Sequence, residues 1–448
     1  MTEPVGPVPE PLTDILARRR IALGRDSYGR AVVARPDSVI VGVGASAQRR
    51  DRIASWVDGW DREQAQRIAA RPPERSLRFE TVRFPAGYFD DGAASLAGVT
   101  TTRDHLTAAG HHVELNHVVL GAPSVGSLVG APATRVDDMV FTGQAVKNAA
   151  GESVLRTSAQ PAIAPRFLRE PLRLAGRRPP RVLVMDSGLR TVEGAGDTPE
   201  HPKLASCFVH EPWLLRAEDR EVDDEDESDV DHTGTLDFQA GHGTFISGIV
   251  RQICPDADLH TCGVLTSFGE GSVSGVLHAL DRVTRLSGPF DVVVMSFGAY
   301  FTNDDPGLFA SELTRLLGNA VGVASAGNDG SSRPHYPAAL PNVIGVGGLA
   351  AGGTAWFTNF GSWVDACAPA VDVVSTFFAD FTESIDGQPR RHYDGWARWS
   401  GTSFAAPKIA ALIAQEMYLY AGDAIGAWRR LTSNQQLRHG DLGAVFNV

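Results

Sequence analysis

Beyond Arg181 the chain alternates short, continuous apolar runs with longer stretches at helical spacing. The runs Val182–Met185, Asp258–Val264, Asp291–Ser296, Ala320–Ser325 and Val343–Gly347 read as strands. Val292-Val293-Val294-Met295 has no polar face, which suits a sheet covered on both sides. Between the runs, Gly243–Ile253, Val273–Leu286 and Pro306–Leu317 place apolar residues at three- and four-residue intervals, and Phe404–Tyr420 is a longer stretch of the same kind. This alternation predicts an α/β fold with a doubly wound, mostly parallel sheet. Ligand sites are then expected at the C-terminal ends of its strands.

The first part of the chain has a different rhythm. Ser38–Val43 is short and β-branched, Leu77–Phe84 alternates, and His112–Leu120 again reads as a strand. Ala47–Ala70 carries Ile53, Trp56, Val57, Trp60, Ala65 and Ile68 at roughly helical spacing, and Ala93–Ala109 is a second helical stretch. The order β-α-β-α-β predicts a small N-terminal α/β domain of the split βαβ type over residues 37–120. Before it, residues 1–36 are rich in Pro and Arg and are expected to lack a core of their own. After it, residues 121–180 are rich in Gly, Ala, Pro and Ser without periodicity, and read as a linker or extension. Residues 181–448 form the large α/β domain. A length of 448 residues accommodates this division.

Charge adds one local feature. The chain carries 41 basic and 53 acidic residues. Ten carboxylates and one arginine fall within Ala217–Asp231, so the acidity is concentrated in one loop. Such runs are usually solvated, although Asp223, Asp224, Asp226 and Asp229 are candidate calcium ligands; attraction of basic substrates, or docking of the mildly basic N-terminal part, is a third reading. No basic patch interleaved with aromatics is present, which argues against nucleic acid, and no run of about 18 apolar residues argues for a membrane span. Cys207, Cys254, Cys262 and Cys367 form no C-x-x-C pair and are expected to be buried thiols, with one disulfide still allowed. The first residues lack a basic, then apolar, leader, so the expected location is the cytoplasm.

Three motifs fall at strand–helix junctions. Val184-Met185-Asp186-Ser187-Gly188 puts an acid at the end of an apolar strand. Gly241-His242-Gly243-Thr244 puts a histidine at a helix start, and Ser400-Gly401-Thr402-Ser403-Phe404-Ala405-Ala406-Pro407 does the same for a serine. Serine is a weak nucleophile until a base takes its proton, histidine does that near neutral pH, and a carboxylate fixes the imidazole tautomer. The order Asp186, His242, Ser403, with these flanks, resembles the subtilisin-like serine proteases, or subtilases. The resemblance covers about residues 181–422.

The resemblance implies a catalytic domain at 181–448 and a set of roles. Asn328, in Val323-Ala324-Ser325-Ala326-Gly327-Asn328-Asp329-Gly330, and the Ser403 backbone N–H are the implied oxyanion hole. Ser296, Phe297, Gly298 and Ala299 are the implied substrate edge, with Gly271, in Glu270-Gly271-Ser272-Val273, opposite. Ala324, Ser325, Ala326 and Gly327 are the implied pocket wall. His335 matches a pocket-floor position, where it either favours an acidic or polar side chain or rotates away. Phe404 stands where many relatives have methionine, and the loop forming the strong calcium site of secreted relatives is missing. The N-terminal domain resembles the family's inhibitory prodomains, with Val113–Val118 similar to their last strand; a permanent accessory domain is the alternative. His111, His112 and His117 are expected at the surface.

The expected function is hydrolysis of peptide bonds by a serine endopeptidase acting through an acyl-enzyme, in limited processing of proteins or peptides. Alternatives are a peptide ligase or macrocyclase using the same acyl-enzyme, a non-catalytic peptide-binding module, and an esterase. The expected partners are a protein or peptide held as an extended strand and an intramolecular N-terminal inhibitory domain. No cofactor is required by this chemistry, no metal site is predicted, and calcium is allowed but not predicted.

Overall fold

The computed structural model describes residues 21–42, 77–84, 96–121, 134–136, 139–141, 144–147, 153–166, 168–192, 198–209, 226–230, 232–383, 390–435 and 437–448. The helix expected over 47–70, and residues 217–225 and 231 of the acidic loop, lie outside them.

In the N-terminal part, β1 (Ala22–Arg25), β2 (Ala31–Gly42), β3 (Phe79–Arg83), α1 (Ala97–Ala108) and β4 (Val113–Gly121) follow one another. β1 and β3 share one edge of β2 and β4 takes the other, all antiparallel to β2. The unit β3–α1–β4 therefore steps over β2, which is the split βαβ layout. Val32, Ala34, Val39 and Val41 of β2 pack with Val99 and Leu106 of α1 in one buried cluster. The expected start at residue 37 needs correction, because β1 and the first half of β2 lie within 1–36. Alternation in Ala31-Val32-Val33-Ala34 buries both faces, Val32 and Ala34 in this cluster and Ala31 and Val33 against Tyr300 of the large domain.

The stretch expected to be a linker contains two short hairpins, Thr134–Val136 with Met139–Phe141 and Gln144–Lys147 with Ser153–Arg156. Gln160–Pro161 then adds to the strand Trp396–Trp399. This part of the chain is tied to the large domain.

The large domain is built on β5 (Arg181–Asp186), β6 (Phe208–Val209), α2 (His242–Ile253), β7 (Asp258–Gly263), β8 (Glu270–Ser272) and α3 (Val273–Ser287). There follow β9 (Val292–Met295), β10 (Phe297–Gly298), α4 (Gly307–Leu317), β11 (Val321–Ser325), β12 (Val343–Ala350), β13 (Ala366–Pro369), α5 (Ala406–Tyr420), α6 (Ala424–Asn434) and β14 (Gly443–Val445). The main sheet runs β6-β7-β5-β9-β11-β12-β13-β14, these eight strands all parallel, with the short strands Gly353–Thr354 and Arg438–His439 added antiparallel to β12 and β14. From β5 the chain lays β6 and β7 on one side, β7 beside β5, and then builds outward on the other, so the C-terminal end of β5 is the switch point where ligands bind in such sheets.

Strand alternation decides which layer each side chain joins. Val182, Val184, Val292 and Val294 face α2 and α5, packing with Phe245, Ile249, Ile409 and Ile413. Leu183, Met185, Val293 and Met295 face α3 and α4, packing with Val276, Leu280, Phe309 and Leu313. Each such burial stabilises by about 1.5–3 kcal/mol. All four cysteines are buried and none is in a disulfide. Among the described residues no helix is long and apolar enough to cross a membrane, and no three His, Cys, Asp or Glu side chains gather to hold a metal ion.

The two parts meet through a buried ionic cluster. Arg333 donates from Nε to Asp304 Oδ1 (2.9 Å), from Nη1 to the Ala31 carbonyl (2.7 Å) and from Nη2 to the Phe301 carbonyl (3.0 Å). Asp26 Oδ2 lies 3.6 Å from Arg333 and 2.8 Å from Arg30, which also pairs with Asp304. His117, expected at the surface, is buried here against the Phe301 ring, with centroids 4.5 Å apart. Burial pushes its imidazole down to about 3, so it sits neutral at the interface.

Candidate active site

Asp186 is the last residue of β5 and His242 the first of α2. Gly241 precedes the helix at φ 80°, a left-handed conformation in which glycine is unstrained. Gly243 matters for a different reason: a Cβ there would stand 2.2 Å from the Gly188 carbonyl oxygen. Its bare backbone lets α2 close onto the Asp186-Ser187-Gly188 turn. The result is a hydrogen bond of 2.6 Å from His242 Nδ1 to Asp186 Oδ1, which also accepts from the Ser187 N–H at 2.8 Å. Both side chains are fully buried.

An ionised Asp186 places the proton on Nδ1 and leaves Nε2 as the acceptor. Nε2 has no hydrogen-bond partner among the described residues. The imidazole lies edge-on to Trp399 (5.5 Å between centroids) and beside Phe404 (5.4 Å). Phe404 thus forms part of the apolar wall around the His242 imidazole.

Ser403 lies in the 3₁₀ turn Thr402–Phe404 that leads into α5. Its Oγ donates to the Ser296 carbonyl (3.2 Å), and Ser296 Oγ donates to the Ser403 carbonyl (2.9 Å). Asn328 Oδ1 accepts from the Thr402 N–H (2.9 Å) and from Thr402 Oγ1 (2.8 Å). That double anchor fixes the amide plane, so Nδ2 is held in one direction beside the Ser403 turn.

Two anchoring residues were visible within the motifs but not their roles. Thr402 locks Asn328, and Ser187 Oγ accepts from the Gly243 N–H at 2.8 Å while donating to Asp226 Oδ1 at 3.0 Å. Asp226 itself departs from the expectation of a solvated or calcium-binding loop. It is fully buried and accepts from the N–H groups of Gly241 (2.9 Å) and Thr244 (3.0 Å) and from Thr244 Oγ1 (2.7 Å). It therefore caps the helix that begins with His242. Burial pushes its carboxyl up to about 7, against the opposing pull of these donors. Within a run of ten carboxylates, nothing local marked this one as buried.

The two expected substrate edges are present as β8 and β10, and both are occupied. Val118, Val119 and Leu120 of β4 pair antiparallel with Ser272, Gly271 and Glu270. On its other side β4 pairs Leu120 with Gly298 and Gly121 with Phe297. The Gly121 N–H also donates to the Gly269 carbonyl at 2.7 Å. The last strand of the N-terminal sheet thus lies between the edges as an extended peptide would.

The expected pocket wall, Ala324 to Gly327, runs along the end of β11 and is buried. Ala299 bridges to Tyr336, which brings the neighbouring His335 against Gly298. Burial pushes His335 down to about 4, so it is neutral near pH 7 and offers no positive charge to an acidic side chain.

Residues 178–439 match the model of peptidase S8, described as the subtilase family. The minor extracellular protease Epr of Bacillus subtilis (strain 168) is 28% identical over 199 residues, 42% of this chain and 28% of that protein. A thermophilic serine proteinase of Bacillus sp. (strain AK1) is 31% identical over 193 residues, 39% of this chain and 41% of that protein. The chain thus spans less than half the length of these two relatives. A crystal structure of a cold adapted subtilisin-like serine proteinase aligns at a TM-score of 0.43 and 20% identity, covering 62% of this chain and 93% of that one. The family match extends over more than half of the chain, from just before β5 to beyond α6, and the chain belongs to the subtilase family.

Proposed function

We propose that the chain is a serine endopeptidase that hydrolyses peptide bonds through Asp186, His242 and Ser403. The observation that carries this reading is the 2.6 Å bond between Asp186 and His242 beside the Ser403 turn, next to two strand edges that already hold an extended peptide. Ser403 Oγ leaves the Ser296 carbonyl and attacks the scissile carbonyl carbon. His242 Nε2 takes its proton, and Asp186 stabilises the resulting imidazolium. Asn328 Nδ2 and the Ser403 N–H donate to the oxyanion. The imidazolium then protonates the leaving amine, an ester to Ser403 remains, and water activated by His242 releases the acid.

The same reading makes β4 an intramolecular inhibitor. It holds Gly271 and Gly298 in the pairing a substrate would need, and Ser403 and His242 are fully buried beneath.

The test is intact mass after treatment with a fluorophosphonate, on the wild type, on Ser403→Ala and on Leu120→Pro. One adduct on Leu120→Pro and none on Ser403→Ala is expected, with the wild type slower. No adduct on the wild type or on Leu120→Pro would overturn the reading. An assay for joined rather than cut peptides separates hydrolysis from ligation.

A further inference from the structure

On the endopeptidase reading, two glycines face the place where the substrate residue before the scissile bond puts its side chain. Gly298 lies on the β10 edge, and Gly327 ends the wall that begins at Ala324. In an open slot the space beside both would be empty. Here it holds an imidazole. A Cβ at Gly298 would stand 2.2 Å from His335 Cε1 and 2.6 Å from Nδ1. A Cβ at Gly327 would stand 3.0 Å from the same Nδ1. The ring therefore lies flat against one glycine and within contact of the other.

The ring has little room to swing away. It is 6% exposed, and the Tyr300 ring backs it at 5.0 Å. Tyr300 is itself pinned, donating to Asp329 Oδ2 at 2.7 Å and accepting from Asn359 Nδ2 at 2.9 Å. Asn359 Nδ2 also donates to the Ala326 carbonyl at 2.9 Å, which ties this support to the pocket wall. Backbone bonds between Ala299 and Tyr336, at 2.8 and 3.0 Å, fix the segment that carries the histidine.

One chemical detail remains. His335 Nδ1 is buried and has no hydrogen-bond partner among the described residues. A buried polar atom is costly without a partner, so a ligand that supplies one is favoured.

We propose that His335 closes the primary specificity pocket and restricts cleavage to positions after glycine, alanine or serine. This rests on the endopeptidase reading above and adds its substrate class. A methyl group or a hydrogen fits above the imidazole. An aromatic ring or a leucine side chain needs the volume the imidazole fills. A serine hydroxyl both fits and reaches the lone Nδ1.

The experiment measures the rate of adduct formation at Ser403 in the full-length Leu120→Pro chain, whose edges are freed. The probes are diisopropyl fluorophosphate, which carries no amino-acid side chain, and two peptidyl diphenyl phosphonates ending in the alanine or the phenylalanine analogue. Alanine is expected to react at least tenfold faster than phenylalanine. His335→Gly, and separately His335→Ala, should raise the phenylalanine rate at least tenfold relative to the fluorophosphate rate of the same variant. If either variant misfolds, its fluorophosphate rate collapses, and the ratio in the parent chain decides alone. Equal or faster reaction with phenylalanine in the parent overturns the proposal, as does fluorophosphate labelling with no reaction of either peptide. Absence of fluorophosphate labelling in the parent overturns the endopeptidase reading, and the pocket assignment falls with it.

Discussion

Ser403 and Ser296 hold each other twice: each hydroxyl donates to the other's carbonyl, at 3.2 and 2.9 Å. The Ser403 hydroxyl is therefore engaged by the candidate substrate edge, while His242 Nε2 has no hydrogen-bond partner among the described residues. Removing the Ser296 hydroxyl deletes only the bond that steadies the Ser403 carbonyl. Ser296→Ala is expected to lower stability by about 1 kcal/mol, read from the urea midpoint at unchanged slope. A shift indistinguishable from zero would mean that the second bond does not hold in solution.

Asn328 has two duties, and they separate by measurement. On the proposed reading its Nδ2 serves the oxyanion, whereas its Oδ1 holds Thr402. Asn328→Ala is expected to lower kcat about 10²–10³-fold with KM little changed. Thr402→Ala removes the hydroxyl anchor but keeps the amide donor. It should cost less in kcat, with most of its effect appearing as lost stability.

Asp226 provides a pH signature. Its folded value near 7 lies above its ordinary 3.8, so between these limits the folded chain binds more protons than the unfolded one. Stability linked to this group is therefore present below about pH 4 and is lost as pH rises through about 7. Asp226→Asn should flatten the stability profile across that window, measured as denaturant midpoints at a series of pH values. An identical slope in both proteins would exclude this linkage.

Leu120 is paired on both sides, with Glu270 and with Gly298. Proline there supplies no N–H and breaks the ladder. Leu120→Pro should speed hydrogen exchange in β8 and β10 while leaving β9 and β11 protected. Unchanged protection of the two edges would show that β4 holds them by contacts other than its backbone.

The large-domain strands and helices were legible because parallel strands covered on both faces read as unbroken apolar runs, as at Val292–Met295. The same signal failed for β1, a four-residue strand with one buried residue, and for α6, whose Ala424-Ile425-Gly426-Ala427 start resembles a loop. Asp186, His242 and Ser403 stood out as candidates because each sits in a short motif at a strand–helix junction. What escaped was everything that depends on distance through space. Asp226 is one acid among many in sequence, and only the fold brings it under α2. His117 is a polar residue in a strand buried on both faces, and nothing local gave a sign that Phe301 would cover it. His335 was legible as a position, whereas the side it would turn to was set by Tyr300 and two glycines far apart in the chain.

The Arg333 guanidinium is shared property of the two parts. Asp26 and the Ala31 carbonyl come from one, Asp304 and the Phe301 carbonyl from the other, and the same cation stacks over Tyr300 at 4.6 Å. A chimera that joins this catalytic region to a related N-terminal segment would bury a positive charge with half its acceptors gone. The two regions are therefore expected to be inherited as a matched pair, with position 26 changing only in step with position 333.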